Sequence, residues 1–399
     1  MKPLSIFSPP AISNVTRLII ILVICASGAG CRSDGGIDIK IPNIDLTSPK
    51  TENLVKLSEL ADSVWYVPLQ TTDSSFIASI NLIRITDKYI AVYDKLNKLL
   101  VFDTGGNFIK TISRRGKGPY EFITVFSFDI DKSQQNLYAI TEGNKILKCN
   151  LDKNHIETIG TQMKVLSMNY MADQLIFQIA YPLIHLYQGY SFFSMDCNSL
   201  VNEALGNSAN ISKLRLPKMG SFNENYIYLD TLCCWQFFID TVYGISANKM
   251  ITPRYAISYG NKKPGNEAFD NPEMLMSVTE KGTLLLTSLC ESKNHFFLEL
   301  VENRVRQRLL FNKASKSFTR LLGRDKLAHA PVLINDLDLG PDIWPDFVLN
   351  GKVMVKILYA DELLLWNKAL NQENRRCDIT ELKNITSEDN PVIMFINLK

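Results

Sequence analysis

The sequence contains little of what metal centres and nucleophilic active sites are usually built from. Its cysteine spacings match no zinc pattern, and no Gly-x-Ser-x-Gly motif is present. The four histidines stand at no metal-ligand spacing and in no recognisable catalytic context: His155, His185, His295 and His329. We therefore expect no metal and no cofactor. A catalytic site remains the alternative, because the sequence does not exclude that carboxylates from distant parts of the chain meet in the folded protein.

The chain also lacks an excess of charge of either sign. It contains 43 Lys and Arg and 41 Asp and Glu, and Lys2 and Arg17 are the only charged residues among the first thirty. Without that segment Lys and Arg fall to 41, equal to Asp and Glu, and the chain is formally neutral. A neutral chain has no global positive field to attract a phosphate backbone, so we expect no nucleic-acid partner.

The apolar run near the N-terminus, Leu18–Ala26, is too short to span a bilayer, so we expect no transmembrane anchor. It follows a basic start and precedes the small residues SGAG, which is the order of a secretory signal. Small residues directly before Cys31 are similar to a bacterial lipobox, although Gly28 stands where that motif prefers leucine. Cleavage near Gly30 that leaves a free Cys31 is the alternative.

These features predict a lipoprotein signal peptide over residues 1–30 and lipid attachment at Cys31. Residues 31–60, which begin with the polar CRSDGG, form a tether and lead-in segment, and residues 61–399 form the folded domain. Beyond Cys25 and Cys31, six cysteines remain, and we expect them to be buried free thiols. Disulfide bonds are the alternative, because an exported chain reaches an oxidising compartment. The six cysteines are Cys149, Cys197, Cys233, Cys234, Cys290 and Cys377.

Strand signals recur along the chain, whereas helix signals are sparse. Short apolar runs bounded by polar turns predict strands at Tyr89–Asp94, Leu99–Asp103 and Phe108–Ile112. Four more are predicted in a second unit at Phe126–Asp131, Asn136–Thr141, Lys145–Asp152 and His155–Gly160. The segments that begin Asn-Lys at 97 and 144 share one pattern, and a period of 47 residues is typical of propeller blades.

Four looser units follow, in which apolar and polar residues barely alternate, as expected for strands buried on both faces. The predicted strands are Asp173–Ala180, Gly189–Asp196, Asn225–Leu232, Asp240–Ser246, Pro253–Gly260, Gly282–Ser292, His295–Glu302, Arg306–Asn312, Pro345–Leu358 and Asn390–Lys399. The sixth unit is one strand short, and Ser63–Thr71 can complete it as an edge strand that tolerates Pro68. Asp361–Asn371 is predicted to be a helix that packs on the ring. The fold class is therefore all-β: a six-bladed β-propeller with four-stranded antiparallel blades, closed by an N-terminal strand.

Several segments, taken in order, resemble the six-bladed β-propeller lipoproteins common in Bacteroidetes, which are related to NHL-repeat propellers. They are the signal, YVPLQTTDSSFIASI at 66–80, FDTGGNFIKTI at 102–112, RRGKGPYEF at 114–122, DTVYGI with PRYAISYG, and DNPVIMFINLK at the C-terminus. The resemblance covers nearly all of the chain after the signal. It implies a cell-envelope lipoprotein, with the outer membrane as the expected location, and it implies no particular activity.

The stretch SRRGKGPYEF, residues 113–122, is the first candidate site. A Walker loop needs Ser or Thr after its lysine and a following helix, and neither is present here. One interpretation is a turn between blades in which Glu121 pairs with a neighbouring cation. The other is that Arg114, Arg115 and Lys117 line the channel mouth and bind an anionic or polyhydroxy ligand. In the family pattern a glycine stands where this chain has Tyr120.

A second candidate is a polar cluster of Asp240, Tyr243 and Arg254, although Asp-Thr at 240–241 is also typical of a turn. Aromatic residues predicted on exposed loops, which would stack on sugar rings, are Trp235, Phe237, Phe238 and Trp344; packing in the core is the other explanation.

We expect a monomer that acts as a non-catalytic binding or scaffold module for a glycan, a peptide or an envelope protein. The alternative is a polysaccharide lyase or hydrolase with its site at the channel mouth.

Overall fold

The computed structural model describes residues 41–113, 116, 118, 121–143, 145–153, 155–160, 165–179, 192–197, 202–205, 223–236, 240–263, 282–323, 331–372 and 377–399. In chain order, its strands are β1 (Asn43–Asp45), β2 (Lys50–Asn53), β3 (Ala61–Pro68), β4 (Ile80–Ile85), β5 (Tyr89–Asp94), β6 (Leu99–Asp103), β7 (Phe108–Ser113), β8 (Val125–Ile130), β9 (Asn136–Thr141), β10 (Lys145–Asn150), β11 (His155–Gly160), β12 (Val165–Met171), β13 (Gln174–Ile179), β14 (Phe192–Asp196), β15 (Asn202–Ala204), β16 (Asn223–Tyr228), β17 (Thr231–Gln236), β18 (Thr241–Ile245), β19 (Ile251–Ser258), β20 (Leu284–Glu291), β21 (His295–Glu302), β22 (Val305–Asn312), β23 (Ser317–Leu321), β24 (Phe347–Leu349), β25 (Val353–Leu358) and β26 (Val392–Leu398).

Helical structure is limited in the part of the chain just defined. The helix α1 (Ala360–Gln372) lies between β25 and β26 and confirms the helix predicted at Asp361–Asn371. Three-residue 3-10 helices occur at Leu57–Glu59, Gly260–Lys262 and Thr380–Leu382. Within the described part of the chain, none of the helices has the length and the apolar character that a membrane span requires.

The sheets form a six-bladed β-propeller. Blades one to five each take four consecutive antiparallel strands, from β4–β7 in blade one to β20–β23 in blade five. Blade six combines β24, β25 and β26 with β3 on its outer edge. The first strands of neighbouring blades contact one another, β4 with β8, β8 with β12, β16 with β20 and β20 with β24. The first strand of each blade therefore lies toward the centre of the ring and the fourth lies on its rim.

The N-terminal strand closes the ring, as predicted. β3 pairs antiparallel with β26, with Tyr66 opposite Met394 and Val67 opposite Ile393. The segment before it also pairs with the rim. β1 lies parallel to β19 of blade four, and β2 lies parallel to β23 of blade five. Residues 43–68 thus follow the outer edges of three successive blades, and paired edges are protected from pairing with other chains.

The core consists of apolar clusters between adjacent blades. Phe102 of blade one packs with Val355 and Phe395 of blade six, and Trp235 of blade four packs with Phe296 of blade five. Because each blade has a neighbour on both faces, consecutive strand residues such as those of Ile90–Val92 are all fully buried. This explains the weak alternation of the sequence, and each large apolar side chain contributes about 1.5–3 kcal/mol by its burial.

The repeat in the sequence is the step from blade one to blade two. β5 begins at Tyr89 and β9 at Asn136, and β7 begins at Phe108 and β11 at His155, so both pairs are 47 residues apart. Equivalent strands of the two blades therefore follow the predicted period.

One of the predicted strands was wrong. Asn225–Leu232 was predicted as one strand, but β16 ends at Tyr228 and β17 begins at Thr231. The turn between them places Leu229 and Asp230 at φ 46° and 58°, the left-handed conformation of a tight hairpin. Pro345–Leu358 contains both β24 and β25, which with β26 are the three strands expected of the sixth unit before the closing strand joins it. The prediction also missed β1, β2, β4, β12, β15 and β23 altogether.

Candidate functional site

The loop between blades one and two is only partly described. Arg114, Arg115 and Lys117 lie outside the described residues, so their role stays a prediction. Gly118 N–H donates a hydrogen bond of 2.9 Å to Oε2 of Glu121. A Cβ on Gly116 would collide with the same carboxylate. The two glycines therefore leave room for Glu121 to bind the loop backbone, and the predicted pairing of Glu121 with a cation remains open.

The residues of the second candidate cluster have separate partners. Asp240 is half exposed and forms an ion pair of 2.8 Å with Lys263. Tyr243 packs against the apolar cluster between blades two and three, and burial raises the pKa of its hydroxyl. Arg254 reaches across to blade five instead. The structure therefore does not bring these three side chains together into one polar cluster.

Arg254 belongs to a buried charge cluster between blades four and five that the sequence did not reveal. Its Nη1 and Nη2 donate to Oε2 and Oε1 of Glu291, at 2.6 and 3.0 Å. Lys313 donates to the same Oε1 at 2.6 Å, and the Tyr226 hydroxyl donates to Oε2 at 2.7 Å. The Glu291 side chain is fully buried, and those of Arg254 and Lys313 are 18% and 15% exposed.

Aromatic rings surround the two cations of this cluster. The Lys313 ammonium lies 4.5 Å from the ring centre of Tyr228 and 4.8 Å from that of Phe296, and the Arg254 guanidinium lies 4.9 Å from Tyr228. Burial lowers the pKa of Lys313, an effect that Glu291 opposes. The cluster is closed and mutually paired, so we assign it a structural role at the junction of the two blades.

The thiol of Cys233 also belongs to this cluster, where Arg254 Nη1 donates to its Sγ at 2.7 Å. Burial raises the pKa of this thiol to about 12. A thiol with such a pKa is almost entirely protonated at neutral pH and is a poor nucleophile. In the described residues, no three His, Cys, Asp or Glu side chains are grouped so that they could hold a metal ion.

A cavity of about 950 Å³ lies between blades five and six, beside α1. One wall is a row of polar side chains, Ser288, Glu299 and Arg308, which are direct neighbours on β20, β21 and β22. The facing wall includes Lys356 of β25.

The charged groups of the cavity are held by ion pairs. Arg308 Nε lies 3.0 Å from Oε2 of Glu299, and its guanidinium lies 5.4 Å from the ring centre of Trp344. Lys356 Nζ lies 3.1 Å from Oδ1 of Asp346. Burial lowers the pKa of Arg308, an effect that Glu299 opposes. These pairs set the orientations of the side chains that line the cavity before any ligand arrives.

The rim of the cavity is formed by the loop before β24 and by α1. In the loop, Asp338 Oδ1 accepts hydrogen bonds from Asn335 Nδ2 at 2.7 Å and from Gly340 N–H at 2.9 Å. These bonds hold Leu339 at φ 60°, a conformation that costs a non-glycine residue about 1–2 kcal/mol. In α1, Leu363 and Leu370 are buried, whereas Leu365 is 68% exposed.

The tryptophans predicted on exposed loops lie in the core instead. Trp235 is 1% exposed and Trp344 is 6% exposed, and Trp344 packs edge to face with Phe297. Phe237 and Phe238 lie outside the described residues. The tryptophan with accessible surface at the cavity is Trp366 of α1, which sequence reasoning had assigned only to the helix.

Comparison with known proteins establishes a family without an assigned activity. A family model described as "Domain of unknown function (DUF4934)" matches residues 41–397. The chain belongs to this family. No curated protein matches it.

Solved structures support the fold. A protein of Bacteroides fragilis that is described as exported aligns with a TM-score of 0.68 at 18% identity, over 89% of this chain and 99% of that one. A Bacteroides thetaiotaomicron protein of unknown function aligns with a TM-score of 0.39 at 9% identity, over 87% and 75% of the two chains. At such identities the first likeness shows the shared fold alone, and the second adds no argument.

Proposed function

We propose that the protein is an exported binding module that takes its ligand in the cavity between blades five and six. The cavity itself carries the proposal. Its volume lies within the range of roughly 300–1,000 Å³ that is typical of ligand pockets. It combines an apolar rim with polar groups whose geometry is set in advance by the Arg308–Glu299 and Lys356–Asp346 pairs. Groups that need no reordering lose less entropy on binding a ligand.

Binding is tested with purified protein against a panel of oligosaccharides and peptides, with calorimetry for affinity and chromatography for products. We expect at least one ligand whose affinity falls about tenfold or more, roughly 1.4 kcal/mol, in Trp366→Ala. Met250→Ser is the matched control, because Met250 is 58% exposed in the turn before β19, away from the cavity residues. Ligands that bind both variants equally well would refute the cavity as the site, and product formation would favour the propeller-enzyme alternative.

We also propose that the module is tethered to the cell envelope by lipid on Cys31. The signal-like N-terminus supports export, as does the likeness to a Bacteroides fragilis protein described as exported. Cys31→Ala removes the acylated thiol, and we expect the protein to move from the membrane fraction to the soluble envelope fraction. Retention of the variant in membranes at the wild-type level contradicts the lipid anchor.

A further inference from the structure

We infer that the cavity binds a neutral oligosaccharide, one of whose sugar rings stacks on Trp366. The inference rests on the proposed binding function and names the class of ligand for the same cavity. Its basis is an indole ring, a hydroxyl and a guanidinium nitrogen that are available to a ligand, together with charged side chains that already have partners.

Trp366 of α1 presents an aromatic surface to the cavity. Its side chain is partly buried against the apolar cluster between blades five and six, and the rest lines the cavity. Within the described ranges, no aromatic ring or cation lies over this indole, and its N–H donates to no protein acceptor. Trp344, by contrast, is covered by the Arg308 guanidinium and by Phe297. An indole joins an apolar ring to one polar N–H, so Trp366 can cover the C–H face of a sugar and donate to a hydroxyl beside it.

Two polar groups of blade five are also available to a ligand. Ser288 of β20 is partly exposed, and its hydroxyl has no hydrogen-bond partner among the residues that the structure describes. Arg308 of β22 donates from Nε to Glu299 at 3.0 Å and from Nη1 to the Pro331 carbonyl at 3.1 Å, which leaves Nη2 without a described acceptor. Both free atoms reach the accessible surface, and both residues line the cavity. A hydroxyl donates and accepts and a guanidinium donates, so the two groups suit the hydroxyls of a sugar.

The ion pairs of the lining are complete within the protein. Glu299 is met by two guanidinium groups, that of Arg308 at 3.0 Å and that of Arg306 at 3.4 Å. Asp346 is met by Lys356. An ionic ligand that displaced one of these partners would leave the other without its counter-charge, whereas a hydroxyl can add a hydrogen bond to an intact pair.

The remaining two charged side chains of the described lining are carboxylates that accept hydrogen bonds from backbone N–H groups. Asp342 accepts from Asn335 N–H at 2.8 Å. Glu362 accepts from Tyr359 N–H at 3.3 Å, in the first turn of α1, where the helix dipole favours a negative charge. The lining therefore requires no counter-ion from its ligand, and a neutral ligand suits it.

A sugar fits these features better than a polypeptide does. A sugar ring presents an apolar C–H face beside hydroxyls, which matches an open indole beside a free hydroxyl and a free guanidinium N–H. An extended peptide binds most readily along an open strand edge, but β21, β22 and β25 of the lining have partners on both edges. The cavity volume of about 950 Å³ lies near the upper end of the range of roughly 300–1,000 Å³ for ligand pockets, so we expect more than one sugar ring.

An array of neutral, acidic and basic oligosaccharides, probed with the purified protein, tests the inference. We expect the bound glycans to be neutral, and calorimetry should show that they bind more tightly than their component monosaccharides. Affinity should fall about tenfold or more in Trp366→Ala, and by less in Trp366→Phe, which keeps an aromatic face and loses the indole N–H. Ser288→Ala should cost about two- to tenfold, the range of one hydrogen bond, and the control Met250→Ser should cost nothing.

Fluorescence gives a second measurement that a purely structural role of Trp366 would not affect. A sugar stacked on the indole should change the tryptophan emission of the wild-type protein during titration. We expect most of this change to be absent in Trp366→Phe, even at sugar concentrations that saturate the variant. An emission change of the same size in Trp366→Phe contradicts stacking on this residue.

The outcomes separate this inference from the proposed function. An array that yields no binder, or only acidic or basic glycans, overturns the ligand class. A peptide that binds in a manner sensitive to Trp366→Ala would then leave the cavity as a binding site. Neutral oligosaccharides that bind Trp366→Ala as tightly as the wild type overturn the inference, and if every other ligand does so too, the proposed function fails with it.

Discussion

Removal of the Glu291 carboxylate should destabilise the propeller strongly. Glu291→Ala leaves Arg254 and Lys313 without the carboxylate they share, inside a junction where their side chains are less than one-fifth exposed. The loss of one partner of a buried ion pair costs about 3–5 kcal/mol, because the remaining charges cannot recover their hydration. The Tyr226 hydroxyl also loses its acceptor, so we expect the upper part of this range.

Glu291→Gln removes the negative charge of the side chain and keeps its shape. The amide keeps one oxygen to accept a hydrogen bond but carries no charge, so we expect a loss of about 2 kcal/mol, as for a hydrogen bond to a charged group. Glu203→Ala is the control for an exposed ion pair, because Glu203 pairs with Lys249 and its side chain is 61% exposed. Exposed pairs of this kind contribute less than about 1 kcal/mol.

The assay is denaturant unfolding at neutral pH, monitored by tryptophan fluorescence and by circular dichroism. Free energies of unfolding are obtained by linear extrapolation for the wild type and the three variants. We expect the order Glu291→Ala, Glu291→Gln, Glu203→Ala from the largest loss to the smallest. If Glu291→Ala costs no more than Glu203→Ala, the two cations reach solvent or other anions, and the assignment of a buried structural cluster is refuted.

Three further predictions concern the ring, its turns and its thiols. Deletion of residues 61–68 removes β3 and exposes β26, so we expect a lower melting temperature and aggregation; an unchanged melting temperature contradicts strand closure. Gly351→Ala and Gly143→Ala both strain a positive φ, but only the first brings a Cβ within 2.6 Å of a tyrosine ring. It should cost about 1–3 kcal/mol more in thermal or chemical unfolding, and equal costs refute the clash. Burial raises the pKa of Cys149 and Cys233 to about 12, so a disulfide reagent at neutral pH should modify them only after unfolding, and rapid modification of the native protein would contradict their burial.

Many strands were predictable to the residue. Tyr89–Asp94, Asn136–Thr141 and His295–Glu302 were predicted with the bounds that the structure shows. Blades that pack on both faces demand uninterrupted apolar runs, and polar turns interrupt those runs at regular intervals. The same demand produces the 47-residue repeat of blades one and two and the looser units after them, so both the fold class and the number of blades follow from local pattern.

The missed elements lack that local pattern. The turn at Leu229–Asp230 contains neither glycine nor asparagine, so Asp230 is the one turn residue that marks the break between β16 and β17. β4 contains Asn81 and Arg84 and lies toward the centre of the ring, where no neighbouring blade demands an apolar run. The aromatic residues Trp235 and Trp344 were expected on loops because sequence position alone does not show which surface the next blade covers.

The candidate sites depend on contacts between blades. Arg254 was noticed as a polar residue, but its partner Glu291 is 37 residues away in the next blade. The cavity joins Glu299 of blade five, Leu339 of a connecting loop and Leu365 of α1. Residues with such separations share no spacing that a sequence can reveal.

Local sequence thus determined most of the strands and the 47-residue repeat, because each depends on residues adjacent along the chain. Only the tertiary structure decided which polar residues are buried in pairs, which tryptophans belong to the core and where a cavity opens. Those features depend on how tightly one blade packs against the next, and that packing is set by side chains that meet only after the ring has closed.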